Sequence, residues 1–194
     1  MAVADITIGP DGVDRCWWCG VDPLYVAYHD DEWGRPLRDE RALYEKVCLE
    51  GFQSGLAWIT ILRKRDAFRA AFAGFDPEVV AGFDEPEVDR LLGDAGIVRH
   101  QGKIRAAIAN ARAVLAMREA GTSLVEVIWS HQPDPRPAPL RDRTQIPAQT
   151  PESVALAKEL RSWGIRFFGP TTAYALMQSA GLVDDHLQGC HRAT

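Results

Sequence analysis

The chain holds four cysteines and five histidines, and the spacing of some of them suits a metal. Cys16 and Cys19 stand two residues apart in RCWWCG, and His29 follows Cys16 after twelve more. Far along the chain, His186-x3-Cys190 places two further donors one helical turn apart. Zinc favours a closed tetrahedron of thiolates and imidazoles, so Cys16 and His29 with His186 and Cys190 form one candidate set. A zinc ribbon would need a second Cys-x2-Cys, and there is none. A thioredoxin-like redox pair would need a βαβ setting that this chain does not offer. Isolated core cysteines and surface histidines fit the same spacing. The doublet His29-Asp30 also suits a His-Asp metal phosphohydrolase, but His100 and His131 stand in segments that read as solvated.

Two other segments carry chemistry. Glu50 lies seven residues after Leu43 and three after Val47, on the apolar stripe of its helix. A carboxylate there is costly unless it has partners or a function. The loop GFQSGL follows at once; its glycines, Gly51 and Gly55, let backbone approach a ligand closely, and Leu56 could fill a gap. Further on, LRSWGIRFFGPTTAYALM reads as a helix ending at Gly164, a tight turn to Gly169, and a new helix opened by Pro170 and Thr171. Free N–H groups and a positive dipole end make that start a phosphate site, with Lys158, Arg161 and Arg166 nearby. An ordinary αα-corner would read the same way, but GIRFFGPTTA looks like a helix-hairpin-helix element, which grips DNA backbone without reading sequence.

The elements that must position these residues are helical nearly throughout. KIRAAIANARAVLAMREAG repeats Ile104, Ile108, Ala111 and Leu115 at helical spacing and stops at Gly121. TPESVALAKELRSWG opens with a Thr-Pro-Glu start signal, and DEPEVDRLLGDAG has an acidic first turn. WITILRKRDAFRAAFAGF reads as one helix, and the prolines of HQPDPRPAPLRDRTQIPAQTP mark a long surface loop. Little alternates with period two. The expected architecture is all-α: one globular domain of about eight helices over residues 15–194, behind a mobile tail at 1–14. The 194 residues suffice for one core, and no apolar run approaches the roughly 18 residues of a membrane span. The opening residues do not read as a signal peptide, so the cysteines belong to a reducing, cytoplasmic setting. A net charge of −5 argues against a protein that coats nucleic acid nonspecifically, while leaving room for a local basic face.

Four collinear stretches make the pattern specific: DPLYVAYHDDEWGRP (22–36), LEGFQSGLAWITILRKR (49–65), DAGIVRHQGKI (94–104) and GLVDDH (181–186). Together they resemble the 3-methyladenine DNA glycosylase I family, from about Arg15 to Cys190. The resemblance implies a monofunctional hydrolase without lyase activity, a monomer acting on double-stranded DNA that contains alkylated adenine. It implies a structural zinc, one per chain, on Cys16, His29, His186 and Cys190, clasping the two ends of the domain, with Cys19 a bystander. It maps Glu50 as the catalytic carboxylate and Trp18, Tyr25, Tyr28 and Trp58 as base-binding residues. Gly55, Leu56, Gly164, Gly169 and Thr171 are the candidates for contact with DNA. Electron-rich rings suit this assignment, because a methylated purine is a cation and a flipped base needs flat surfaces. The alternative of another class is a zinc-stabilised module that binds alkylation damage without turnover.

Overall fold

A computed structural model describes residues 5–193. Its first element is a hairpin: Ile6–Ile8 (β1) pairs antiparallel with Asp14–Cys16 (β2), Ile6 lying opposite Cys16. Residues 6–14, expected in a tail, thus belong to a small sheet, while residues 1–4 lie outside the described residues. Strands of three residues are too short for alternation to announce them. The Arg15 guanidinium fastens the hairpin, bonding Asp11 within it and Asp30 on the first helix.

Ten α-helices follow among the described residues: α1 (Pro23–Asp31), α2 (Glu40–Gln53), α3 (Trp58–Leu62), α4 (Arg65–Ala71), α5 (Pro77–Ala81), α6 (Glu85–Gly93), α7 (Gln101–Glu119), α8 (Leu124–Trp129), α9 (Pro151–Ser162) and α10 (Pro170–Ser179). The excess over the expected eight comes partly from splitting the segment read as one helix from Trp58 onward. The helix loosens at Lys64 (φ −100°, ψ 0°), whose ammonium bonds the carbonyls of Ala95 and Gly96. Sequence chemistry accounts for most helix starts. Asp22, Asp39, Asp76 and Asp84 accept first-turn N–H groups, and Thr150 closes a capping box with Ser153.

The middle of the domain is α2 against α7. Leu43, Tyr44, Val47, Leu49 and Phe52 of α2 are buried, and the Tyr44 hydroxyl donates to the Ala107 carbonyl at 2.9 Å. Phe52, Phe68, Phe72 and Phe75 stack beside them, each buried ring stabilising the fold by roughly 1.5–3 kcal/mol. Lys103 of α7 donates to the carbonyls of Phe52 (3.0 Å) and Ser54 (2.7 Å), satisfying acceptors that the end of α2 leaves open. Gly51 lets α2 press on the α9–α10 connection, since a Cβ there would stand 3.3 Å from the Phe167 carbonyl oxygen.

The two ends of the chain meet. Leu187 pairs with Leu140, the Leu187 amide points to Cys16 Sγ, and the His191 amide donates to the Asp14 carbonyl. Cys16, Leu187 and Cys190 form a small apolar cluster of their own. Among the described residues, no helix is long and apolar enough to cross a membrane.

Candidate active site

A cavity of about 260 Å³ opens where the ends of α1, α2, α3 and α10 converge on the turn after β2. That turn, Trp17–Cys19, delivers Trp18. Asp22 caps α1, and Tyr25 and Tyr28, three residues apart, share the face that looks into the cavity. Trp58 is the first residue of α3, and Glu50 comes from the last turn of α2. All five residues line the one space. Ring centroids lie 5.1 Å apart for Trp18 and Tyr25 and 5.5 Å apart for Tyr28 and Trp58, so the walls are aromatic faces and edges.

Glu50 is the charged group in this apolar lining. It is 4% exposed, and its hydrogen bond comes from Ser179 Oγ at 3.3 Å. Burial pushes its carboxyl up to about 7, against the pull of the Lys46 charge and the Ser179 bond. The site therefore holds a carboxylate at an environmental cost, which a cationic ligand would relieve. Trp58 Nε1 is buried without a partner, a second polar atom left for a ligand to satisfy.

Trp17, Trp33, Gln53, Gln178 and Ser179 also line the cavity, and residue types alone had not singled them out. Trp33 packs 5.0 Å from Trp18, and both tryptophans stand in the quoted motifs, so aromatic content was the available signal. Ser179 had no signal. It reaches Glu50 through the fold of α10 against α2, across 129 residues.

The loop after α2 lies at the surface. Gly55 adopts φ +84°, which favours glycine, and Leu56 is 41% exposed, so this leucine is not a core residue. Across from it stands the connection between α9 and α10. Gly164 has φ +100°, and the Arg166 amide is held by Asn110 Oδ1 at 2.7 Å. Gly169 is the cap residue of α10 in an extended conformation, and Thr171 is exposed in its first turn. Ser54, Arg105, Arg161, Arg166, Phe167 and Gly169 border a surface depression of about 650 Å³ between the two loops. Basic side chains and a free helix start thus face the same hollow, as a phosphate backbone requires.

Near the aromatic wall, Cys16, His29 and Cys190 place their donor atoms within 4.8 Å of one another, a group able to hold a metal. Cys190 Sγ stands 3.4 Å from His29 Nε2. Its thiol is pulled down by the Cys16 thiol and by His29, while the Cys16 thiol is pushed up by Cys190 and by burial. His186 lies beside this group: its ring centroid is 5.1 Å from that of His29, and its buried Nε2 has no partner. Each imidazole meets a carboxylate through Nδ1 at 2.8 Å, His29 with Asp30 and His186 with Asp184, leaving both Nε2 atoms for a metal. Cys19 is outside the group, its Sγ turned to the Cys16 carbonyl at 3.2 Å.

With this geometry in place, the similarities of the chain are informative. Residues 18–193 match the family model described as methyladenine glycosylase. The chain is 50% identical over 181 residues, 92% of it and 96% of the relative, to the DNA-3-methyladenine glycosylase 1 of Escherichia coli (strain K12). A crystal structure of a 3-methyladenine DNA glycosylase I superposes with a TM-score of 0.88 at 49% identity, covering 93% of this chain and 100% of that one. The glycosylase I of Staphylococcus aureus, described for its recognition of 3-methyladenine, gives 0.82 at 35% identity over 88% and 91% of the two chains.

Proposed function

Because the chain belongs to the methyladenine glycosylase family, we propose that it removes 3-methyladenine from alkylated DNA by hydrolysing the N-glycosidic bond. The observation that carries this reading is the buried carboxylate of Glu50 inside an aromatic cavity. A base must leave the duplex to reach that cavity, and the rings of Trp18, Tyr25, Tyr28 and Trp58 would then hold it. Methylation at N3 makes adenine a cation, so the glycosidic electron pair departs with the base as a neutral leaving group. Water adds to the sugar carbon and gives up a proton to solvent. Glu50, ionised, accepts the exocyclic amino proton as a hydrogen bond and offsets the positive charge of the bound base. Selectivity then follows from charge and fit. An unmodified adenine brings no cation to relieve the carboxylate.

The duplex would lie along the hollow between the Leu56 loop and the start of α10, with backbone phosphates against Gly169, while Gly164 and Thr171 are exposed outside the lining of the hollow. Leu56, exposed beside the flexible Gly55, is placed to fill the space of the extruded base. Leu56→Ala should lower kcat/KM on duplex DNA by about tenfold and affect single-stranded substrate much less, because only the duplex must be opened. Comparing release rates on the two substrates checks this. We further propose that the enzyme acts as a cytoplasmic monomer on double-stranded DNA and leaves the strand uncut.

Cys16, His29 and Cys190 form a group able to hold a metal, and we propose a structural zinc there with His186, which stands beside the group, as the fourth ligand. Two thiols and two imidazoles are the donor set zinc prefers, and the unpartnered Nε2 of His186 is a buried atom that such an ion would satisfy. Four protein donors leave no position for substrate. The ion would hold the turn bearing Trp18 against the C-terminal segment and would take no part in the reaction.

Incubating the purified protein with methylated DNA and separating the released bases tests the central reading. Release of 3-methyladenine is expected; binding of the damaged DNA without any released base would leave a damage-binding module instead.

A further inference from the structure

Lys46 stands behind the base cavity and does not line it. It is one helical turn before Glu50 on α2, and it borders a separate cavity of about 230 Å³ that shares Trp58 and Ser179 with the base cavity. Its Nζ lies 3.4 Å from the Tyr28 hydroxyl and 5.1 Å from the centre of that ring. An ammonium group can only donate, so the tyrosine oxygen must accept, and the phenolic hydrogen is free to point elsewhere.

We propose that Lys46 is a positioning residue for base recognition: it makes Tyr28 a hydrogen-bond donor toward the base and keeps Glu50 a carboxylate before the base arrives. The proposal rests on the glycosylase reading of the site.

The other charges around Lys46 do not take over this role. Asp31, Glu32 and Arg35 face the rear cavity from the end of α1 and the turn after it, Glu45 from α2, and Arg65 and Arg69 from α4. Arg65 is paired with Glu32 at 2.6 Å, and Arg69 with Glu45 at 2.9 Å. Arg35 bonds the Asp30 carbonyl. Lys46 bonds no carboxylate among the described residues, and its field is left to act on Glu50. The groups facing Glu50 itself are Tyr25 and Tyr28 from α1, Lys46 from its own helix, Trp58 from α3 and Ser179 from α10. Of these, Lys46 is the cation. Burial drives Glu50 toward its protonated form, and Lys46 and the Ser179 hydroxyl are the groups that oppose it.

A consequence separates this role from a merely structural one. Once the cationic base is bound, it holds Glu50 ionised by itself. Its effect on the charge of Glu50 therefore falls in the free enzyme, whose ionisations appear in kcat/KM, and not in the complex, whose ionisations appear in kcat; in the complex its hold on the Tyr28 hydroxyl remains. Burial lowers the Lys46 ammonium below its ordinary range, so at high pH it carries less charge and its loss costs little.

The test is the pH profile of 3-methyladenine release for the wild type, Lys46→Met and Lys46→Arg. In Lys46→Met the acid limb of kcat/KM should move up by about one pH unit, giving about tenfold loss near pH 6 and less than about twofold near pH 9. The kcat limb should stay in place, and Lys46→Arg should restore the wild-type profile. Ser179→Ala should move the limb in the same direction by less. A carbon NMR titration of the Glu50 carboxyl in wild type and Lys46→Met reads the same shift without turnover. An unmoved limb and an unmoved titration would overturn the proposal while leaving the glycosylase reading intact. A wild type that releases no base would sink that reading, and the titration would still decide the effect on Glu50. Should Lys46→Met fail to fold, Lys46→Gln and Lys46→Arg supply the comparison.

Discussion

Glu50→Gln is expected to lower the release of 3-methyladenine by about 100- to 1000-fold and, at the same time, to make the protein more stable above neutral pH. Both effects come from one carboxylate. The amide keeps the shape and a hydrogen-bonding oxygen but gives up the charge that faces the cationic base. Its stabilising effect follows from burial. The folded state pushes the Glu50 carboxyl from its ordinary value of 4.5 up to about 7, so between those values the folded protein binds the proton more tightly than the unfolded chain. Stability from this group is present in full below about pH 4.5 and is lost as pH rises through 7, a loss of about 3 kcal/mol. Glutamine does not titrate. The two proteins should therefore match in Tm near pH 4.5 and diverge toward pH 8, with the variant higher by roughly 6–12 °C. Thermal unfolding at the two pH values checks the stability, and a base-release assay checks the activity. A variant less stable than the wild type at pH 8 would show that the carboxylate is well solvated or paired in the folded state.

The second large effect concerns the joined chain ends. Freshly purified protein should carry one zinc per chain by elemental analysis, and Cys190→Ala should lose it, with a fall in Tm of roughly 10 °C. Cys16→Ala should behave alike. Cys19→Ala should keep its zinc, because Cys19 points to a backbone carbonyl and stands outside the donor group. A chelator should lower the Tm of the wild type and leave Cys190→Ala unchanged. Full stability in protein that contains no zinc would refute the assignment. Without an ion, the thiols of Cys16 and Cys190 stand with His29 Nε2 within 4.8 Å of one another in a buried space. Bonding these donors to one centre is what the metal would contribute to stability.

Much of the site could be read from residue order because its parts are local. Tyr25, Tyr28 and His29 sit on one short capped helix, and Glu50 and Trp58 flank one glycine-bearing loop, so four motifs in order placed most of the cavity wall. Helix starts were legible for the same reason, since a cap needs only an Asp or Thr beside the first turn. What escaped depends on distant segments meeting. Ser179 reaches Glu50 from α10, and Lys46 gains its meaning from Tyr28 on another helix. No periodicity marks either residue. The hairpin at 6–16 escaped because its strands are three residues long, and the break before α4 because Lys64 finds its acceptors at residues 95 and 96. Cys16 and Cys19 looked equivalent as letters; the direction of each side chain separates them.

The meeting of Leu187 and Cys190 with Cys16 also has a temporal side. The Leu187 amide and Cys16 Sγ that face each other are 171 residues apart in synthesis. At roughly 5–20 residues per second, a growing chain exposes Trp17 and Trp18 for on the order of 10–30 s before their anchor exists. Until then the turn that bears them lacks its C-terminal backing, Leu187 and Cys190. A ribosome that stalls before Cys190 thus yields a chain with every residue of the cavity lining but without the thiol that meets His29 and Cys16. Such fragments should release the Trp17–Trp18 turn more readily than the finished chain does.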